Sequence, residues 1–159
     1  MKQLRQGGFL ISKIHQLSGR IFSKKLKDYD VDLNPAQGRI LFVLWQKDAI
    51  SINELAQKTA LSKSTLTSML DRLESVGYLK RVPSPEDRRQ ILIKLTPKNE
   101  TVQAIHHKVS EEMTELFYRG FGPEEIDRFE SYLTRIYQNL ETVESNKINP
   151  EDSDEPESI

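Results

Sequence analysis

The stretch from Ser51 to Thr96 constrains the fold of this chain more than any other part of the sequence. Ser51 and Glu54 have the S-x-x-E spacing of a capping box, which predicts a short helix over Ile52–Thr59. The pattern then indicates a tight turn, a second short helix and two short strands. This order predicts a helix-turn-helix with a two-stranded hairpin at its end, in a chain that is otherwise mainly helical.

The second helix of the pair separates apolar from polar side chains. Ser62 is placed to cap it, and Gly77 suits the C′ position that follows Val76. Its apolar side chains fall on one face, and small hydroxyl side chains fall opposite. Such a polar face can approach base edges in a major groove about 12 Å wide. The residues of this helix that we expect to contact DNA are Lys63, Ser64, Thr65, Thr67, Ser68 and Arg72.

The predicted hairpin is basic. Its strands are expected at residues 79–82 and 89–95, and a proline-rich turn joins them. Arg88 and Arg89 lie where the turn meets the returning strand, so a guanidinium there can follow a phosphate backbone or enter a narrow minor groove. We expect Asp87 to pair with one of these arginines and to fix its rotamer. Hydroxyls alone would fit an ordinary solvated helix face, but the adjoining basic hairpin favours a nucleic-acid surface.

Charge is distributed unevenly along the chain. The formal net charge is −1, yet residues 141–159 hold seven acids and one base. Residues 58–98 hold nine bases and four acids, and the remainder of the first 140 residues is balanced. The positive excess therefore lies in the segment with the hairpin, which favours contacts with phosphates.

Helices with apolar stripes flank this segment. The first covers about residues 9–28, a second opens at Asn34-Pro35, and another opens at Thr96-Pro97 with the threonine as its cap. A last helix begins near residue 123, and the acidic sequence after about residue 145 predicts disorder.

The stripes of the first and the last two helices are too broad for an 18.4 kDa monomer to bury. We therefore expect these helices to pack against a second subunit. The residues predicted at that interface are Leu10, Ile14, Ile126, Leu133 and Ile136.

Composition argues against several classes of function. The chain has no cysteine, which excludes disulfides, thiol redox sensing and cysteine metal sites. No run approaches the roughly 20 apolar residues that span a bilayer, and no apolar signal core precedes Gly7-Gly8, so we expect a cytoplasmic protein. The sequence has no G-x-S-x-G, glycine-rich phosphate loop or H-E-x-x-H, so we expect neither an enzyme nor a bound cofactor.

Three segments resemble the MarR family, the multiple antibiotic resistance regulators. The run from Asp87 to Thr96, DRRQILIKLT, resembles the family's wing signature D-x-R-x-x-x-[VI]-x-L-T. Leu33–Gln37 resembles the opening of the family's second helix, and Leu70–Glu74 with Gly77–Leu79 resembles the end of its recognition helix. The resemblance covers about residues 9–140. It departs at Lys98-Asn99, where relatives often have Lys-Gly.

The resemblance implies a winged helix-turn-helix homodimer that regulates transcription on pseudo-palindromic operators, with repression as the commoner outcome. Residues 34–96 would form the DNA-binding lobe, residues 1–33 and 97–145 the helical dimerisation region, and residues 146–159 a disordered acidic tail. Matched by position, the expected contacts are Ser64, Thr65, Ser68 and Arg72 on the recognition helix, Arg89 in the minor groove beside Asp87, and Arg88 on a phosphate.

The resemblance also implies a small anionic or aromatic effector between the dimer helices and the DNA-binding lobe, for which His15 and Tyr29 are candidates. A metal-responsive regulator of the same fold is an alternative, but His106 and His107 are adjacent and point about 100° apart. A winged helix that binds protein is the other alternative, although it would not need the basic excess. Steep salt dependence of binding would identify DNA as the partner.

Overall fold

A computed structural model describes residues 3–148 of the chain. This range contains six helices and three short strands, and the strands form one antiparallel sheet. The elements are α1 (Gly7–Asp28), α2 (Pro35–Gln46), β1 (Ile50–Ser51), α3 (Ile52–Thr59), α4 (Lys63–Val76), β2 (Leu79–Pro83), β3 (Ile91–Leu95), α5 (Asn99–Phe117) and α6 (Pro123–Ile148). The prediction of a mainly helical fold with a small β wing is confirmed.

The chain divides at Thr114 into two compact units. In the first unit, Leu26 of α1 and Val102 and Val109 of α5 belong to the same buried cluster as the leucines of the helix-turn-helix. The buried cluster therefore includes residues on both sides of the boundary that the sequence predicts between residues 96 and 97 for the DNA-binding lobe. The second unit contains the end of α5 and the whole of α6.

Helix α2 provides the centre of the first unit. Its N-terminus is closed by a reciprocal capping box, in which Gln37 N donates to Asn34 Oδ1 at 2.8 Å and Asn34 N donates to Gln37 Oε1 at 2.9 Å. Ile40, Leu41 and Leu44 are completely buried. Burial on several sides explains why this helix is apolar over most of its surface.

The helix-turn-helix begins and ends as the sequence predicts, with one difference at α3. Ser51 Oγ accepts from Glu54 N at 3.2 Å, but the Glu54 carboxylate does not complete a capping box. It pairs instead with Lys47 Nζ at 2.9 Å and Lys58 Nζ at 3.3 Å, and the hydrogen bond from Lys47 is the main reason that its pKa is lowered. Two nearby ammonium groups attract the carboxylate more strongly than one backbone amide.

The sheet has three strands, so the prediction of a two-stranded hairpin is incomplete. β2 and β3 pair as the predicted hairpin, and β1 pairs antiparallel with the other edge of β3 through Ile50 opposite Ile93 and Ser51 opposite Leu92. A strand of two residues has no periodicity to reveal it in a sequence. It places the start of α3 against the wing.

The predicted cap of α5 is wrong. The helix begins at Asn99, and Thr96 does not cap it. Thr96 N donates to Tyr78 O at 3.0 Å and its hydroxyl donates to Gly77 O, so its hydrogen bonds continue the pairing beside β2. The Thr96 hydroxyl, which a local cap would have used, bonds instead to a residue on the other side of the hairpin.

Helix α6 extends further than the sequence suggests. It continues to Ile148, which includes the first three residues of the predicted acidic tail. The rest of that tail, residues 149–159, lies outside the described residues. Within residues 3–148, no helix is both long enough and apolar enough to cross a membrane.

Candidate nucleic-acid interface

Helix α4 presents the polar surface that the sequence predicts. Leu66, Leu70 and Leu73 are buried, while all six predicted contact residues of this helix are exposed. Ser62 Oγ accepts from Thr65 N at 3.3 Å and holds the first turn. At the other end, Gly77 adopts φ +93°, and its N–H donates to Leu73 O and Glu74 O. The exposed hydroxyls are thus attached to a helix that is fixed at both termini.

Arg81 connects α4 to the wing, a role that the sequence analysis did not predict. Its guanidinium bonds Asp71 Oδ1 at 2.8 Å and Glu74 Oε1 at 3.1 Å, and its backbone N–H donates to Glu74 Oε2 at 3.0 Å. These partners lie ten and seven residues away, so helical or strand periodicity does not reveal them. The three bonds fix β2 relative to α4, and they neutralise Arg81 within the protein.

Hydrogen bonds donated by backbone N–H groups order the loop at the tip of the wing. Asp87 Oδ1 accepts from Arg89 N at 3.0 Å, which is a local turn of the Asx type. Ser84 N also donates to Gln90 O at 2.8 Å and closes the loop. In the described part of the chain, Asp87 makes no salt bridge with Arg88 or Arg89, so the expected pairing of Asp87 with an arginine side chain is wrong. Asp87 shapes the loop, and the side chains of Arg88 and Arg89 are exposed beside it.

The bases of residues 58–98 divide into two groups. Lys58 pairs with Glu54, Arg81 pairs with two acids, and Lys98 Nζ donates to Val76 O at 2.7 Å. Within residues 3–148, no salt bridge involves the other six. Those six are Lys63, Arg72, Lys80, Arg88, Arg89 and Lys94, and all are exposed. Their charge is available to a polyanion.

A cleft of about 260 Å³ lies between α1 and α2 in the first unit, and we call it the α1–α2 cleft. Phe22, Leu26 and Phe42 contribute apolar surface, and His15 and Arg39 also line the cleft. An adjoining groove shares part of this wall. Its basic residues are His15, Arg20, Lys24 and Lys27. The arrangement combines an apolar surface with a cationic edge.

His15 and Tyr29, the two candidate effector residues, lie in different surroundings. His15 lines the α1–α2 cleft, whereas Tyr29 is not among the residues of its wall. Tyr29 Oη donates to Glu112 Oε1 at 3.3 Å, and Lys25 Nζ bonds the other oxygen of that carboxylate at 3.0 Å. The bond from Lys25 is the main reason that the pKa of Glu112 is lowered. Tyr29 therefore helps to join α1 to α5.

His106 is a core residue, which the sequence analysis missed. It is 9% exposed, and its ring lies 4.8 Å from the Trp45 ring and 5.0 Å from the Phe22 ring, measured between centroids. Burial lowers the pKa of His106, so its neutral form is favoured in the fold. His107 is exposed and pairs with Glu111 at 3.1 Å. Within residues 3–148, no group of three or more side chains is suited to hold a metal ion.

Comparison with known proteins supports the same fold. The sequence model of the MarR family matches residues 33–91, which run from two residues before α2 to the first residue of β3. The multiple antibiotic resistance protein MarR of Salmonella typhimurium is 27% identical over 130 residues, covering 81% of this chain and 89% of the relative. The regulator MgrA of Staphylococcus aureus is 33% identical over 85 residues, covering 53% and 56%.

The solved structures agree. A mutant MarR from Escherichia coli in complex with operator DNA has a TM-score of 0.73 and 28% identity, covering 81% of this chain and 91% of that one. BpsR of Bordetella bronchiseptica has a TM-score of 0.73 and 26% identity, covering 84% and 99%. The chain thus contains a MarR family domain over residues 33–91, and it is similar to MarR regulators over about four fifths of its length. It is accordingly a DNA-binding transcriptional regulator and not an enzyme.

The residue at which this chain departs from the MarR family pattern has a structural role. Asn99 stands where relatives often have glycine, and it is 5% exposed at the start of α5. Trp45 Nε1 donates to Asn99 Oδ1 at 2.7 Å, and Asn99 Nδ2 donates to Thr96 O. One buried amide thus connects α2, the end of the wing and α5. A glycine would leave the partly buried indole N–H of Trp45 without this acceptor.

Proposed function

We propose that this protein is a ligand-responsive repressor that binds a pseudo-palindromic operator as a homodimer. The observation that carries the DNA-binding part is the rigidly capped α4, which exposes small hydroxyls beside six bases without a salt bridge in residues 3–148. In this arrangement α4 enters the major groove, Arg89 enters the adjacent minor groove, and Arg88 contacts a phosphate. Lys63, Ser64, Thr65, Thr67, Ser68 and Arg72 are the proposed contacts of α4.

Exposed apolar side chains support the dimer. In the first unit, Leu10 and Ile14 of α1 are 48% and 43% exposed. In the second unit, Ile136 and Leu140 of α6 are 44% and 66% exposed. Apolar stripes of this kind bury favourably against another protein surface, and a two-fold dimer would place two copies of α4 on successive turns of DNA. Light scattering at micromolar concentration should give the mass of a dimer, and a monomer would contradict the proposal.

The operator can be found by selecting bound DNA from a random pool. We expect a sequence with two-fold symmetry and half-sites about 10 base pairs apart. Affinity should fall steeply as salt rises, because each neutralised phosphate releases counterions. A selected sequence without symmetry would contradict the dimeric mode, and binding that is insensitive to salt would favour a protein partner.

The α1–α2 cleft supports the ligand response. Its apolar surface suits an aromatic ring, and the neighbouring Arg39 and Arg20 suit an anion. The DNA binding of the related BpsR is regulated by 6-hydroxynicotinic acid, an aromatic ring with a carboxyl group. We therefore propose an aromatic carboxylate as the effector class, with His15 in the binding site. Tyr29 remains a proposed indirect contributor through Glu112.

A matched pair of small molecules tests this class. Benzoate and benzamide have similar shapes, but only benzoate is charged. Calorimetric titration should detect benzoate binding and much weaker benzamide binding. Equal affinities for the two compounds, or no binding of either at millimolar concentration, would contradict an anion-selective aromatic site.

A further inference from the structure

Arg39 lines the α1–α2 cleft and also bonds to the first helix of the helix-turn-helix. It lines the cleft, and its Nη1 donates to the carbonyl oxygen of Thr59 at 3.1 Å. Thr59 is the last residue of α3, where backbone carbonyls have no amide partner further along the helix. A side chain that lines the cleft thus supplies a hydrogen-bond donor to the end of α3.

The acceptor lies in the turn that sets the start of the recognition helix. Thr59 is 1% exposed, and its hydroxyl donates to Leu55 O at 2.7 Å. Ala60 follows with φ +55°, a left-handed conformation that is unfavourable for a residue with a Cβ. Two residues later, Ser62 caps α4. Contacts around Thr59 therefore help to hold the strained turn in place.

Building on the proposed ligand-responsive function, we propose that Arg39 transmits occupancy of the cleft to the recognition helix. An anion in the cleft draws the Arg39 guanidinium from the Thr59 carbonyl, and the turn between α3 and α4 loses the bond that holds it for DNA binding. A carboxylate competes effectively because charge-assisted, bidentate bonds to a guanidinium are stronger than a single bond to a neutral carbonyl.

This competition couples the two sites in a defined direction. The anion favours the conformation in which the Arg39–Thr59 bond is broken, and the operator favours the one in which it is formed. The anion should therefore weaken operator binding, and the operator must weaken anion binding by the same factor. Bases on α1, such as Arg20, can attract the anion. The hydrogen bond to Thr59 O comes from Arg39 on α2, so the proposed transmission depends on Arg39 and not on these bases.

The first test needs no ligand. Arg39→Met removes the donor while keeping the aliphatic part of the side chain, and Arg119→Met makes the same change at an exposed position in the second unit. We expect Arg39→Met to lower operator affinity about five- to tenfold, the usual scale of allosteric coupling. It should also speed amide hydrogen exchange in residues 61–65. Arg119→Met should change both by less than twofold. Unchanged affinity and exchange in Arg39→Met would overturn the proposal.

The second test uses benzoate as the probe. Saturating benzoate should lower the operator affinity of the natural protein about tenfold, and saturating operator should lower its benzoate affinity equally. Arg39→Met should show no further loss with benzoate. A full benzoate effect in Arg39→Met would contradict transmission through this residue. If benzoate does not affect the natural protein, the aromatic-carboxylate effector fails, while the ligand-free test still decides whether Arg39 supports the turn.

Discussion

Helices α1 and α4 are both amphipathic, but the faces that they expose have opposite chemistry. α4 buries its leucines and exposes hydroxyls and bases. α1 buries Leu26 but leaves Phe9 65% and Leu17 52% exposed. Water solvates the first surface readily, whereas exposed apolar groups favour removal from water. The difference shows that one helix suits a hydrated polyanion and the other suits a second apolar surface.

The strongest test of this contrast places a charge on the apolar face of α1. Ile14→Glu should disrupt the proposed dimer, because an unpaired carboxylate would be buried at the interface at a cost of about 3–5 kcal/mol. Light scattering across a dilution series should show dissociation. Ser12→Glu introduces the same charge at an exposed polar position of α1 and should remain dimeric. An unchanged mass for Ile14→Glu would show that this face is not the interface.

The buried face of α4 should matter for stability in a way that its outer face does not. Leu66→Ala removes a side chain that is 0% exposed, and it should lower the free energy of unfolding by about 2–5 kcal/mol. Thr67→Ala, at the neighbouring exposed position, should change it by less than about 0.5 kcal/mol. Denaturant titration measures both. Similar losses in the two variants would contradict the separation of the two faces.

Substitutions on the exposed surface of α4 and the wing should lower the affinity for DNA and not the stability of the fold. Arg89→Ala should weaken specific operator binding by about 1–3 kcal/mol if the wing contacts the minor groove, without a comparable loss of stability. Fluorescence anisotropy with the selected operator measures the change. Arg128→Ala alters an exposed arginine of α6 and serves as the matched control. If both variants bind the operator as tightly as the natural protein, the wing assignment is wrong.

A smaller effect is expected from pH, and it should come from the core of the first unit. Burial lowers the pKa of His106 below its ordinary value of 6.5, so the unfolded chain binds a proton more readily than the folded one. Stability from this group is complete above pH 6.5 and is lost as pH falls through the folded pKa. His106→Phe should reduce the acid sensitivity seen in denaturant titrations, whereas the exposed His107→Gln should not. Equal acid sensitivity in His106→Phe and the natural protein would contradict this cause.

The sequence predicted the helix-turn-helix because its signals are local. Asn34, Ser62 and Gly77 cap helices that begin or end within a few residues of them, and the leucines of α4 repeat with the helical period. Each of these features depends on neighbours in the same segment, so the pattern of one segment is enough to reveal it.

The predictions that are wrong concern polar side chains that can form hydrogen bonds with more than one partner. Thr96 was expected to cap α5, and Glu54 to complete a capping box, but both bond to residues that folding brings close. Asp87 accepts a hydrogen bond from the backbone N–H of Arg89 within the loop, and among the described residues it makes no salt bridge with Arg88 or Arg89. The spacing of residues along the sequence indicates which hydrogen bonds a side chain could form, but it does not show which one forms in the folded protein.

The sequence by itself determined the resemblance to the MarR family, the order of the helices and of the hairpin strands, the polar outer face of α4 and the location of the positive charge. These properties depend on residue type and local periodicity. Tertiary structure alone decided that Arg81 is neutralised by acids of α4, that His106 lies in an aromatic core, and that Arg39 reaches the end of α3. Those contacts join residues 7 to 84 positions apart, and only packing in three dimensions brings such distant groups together.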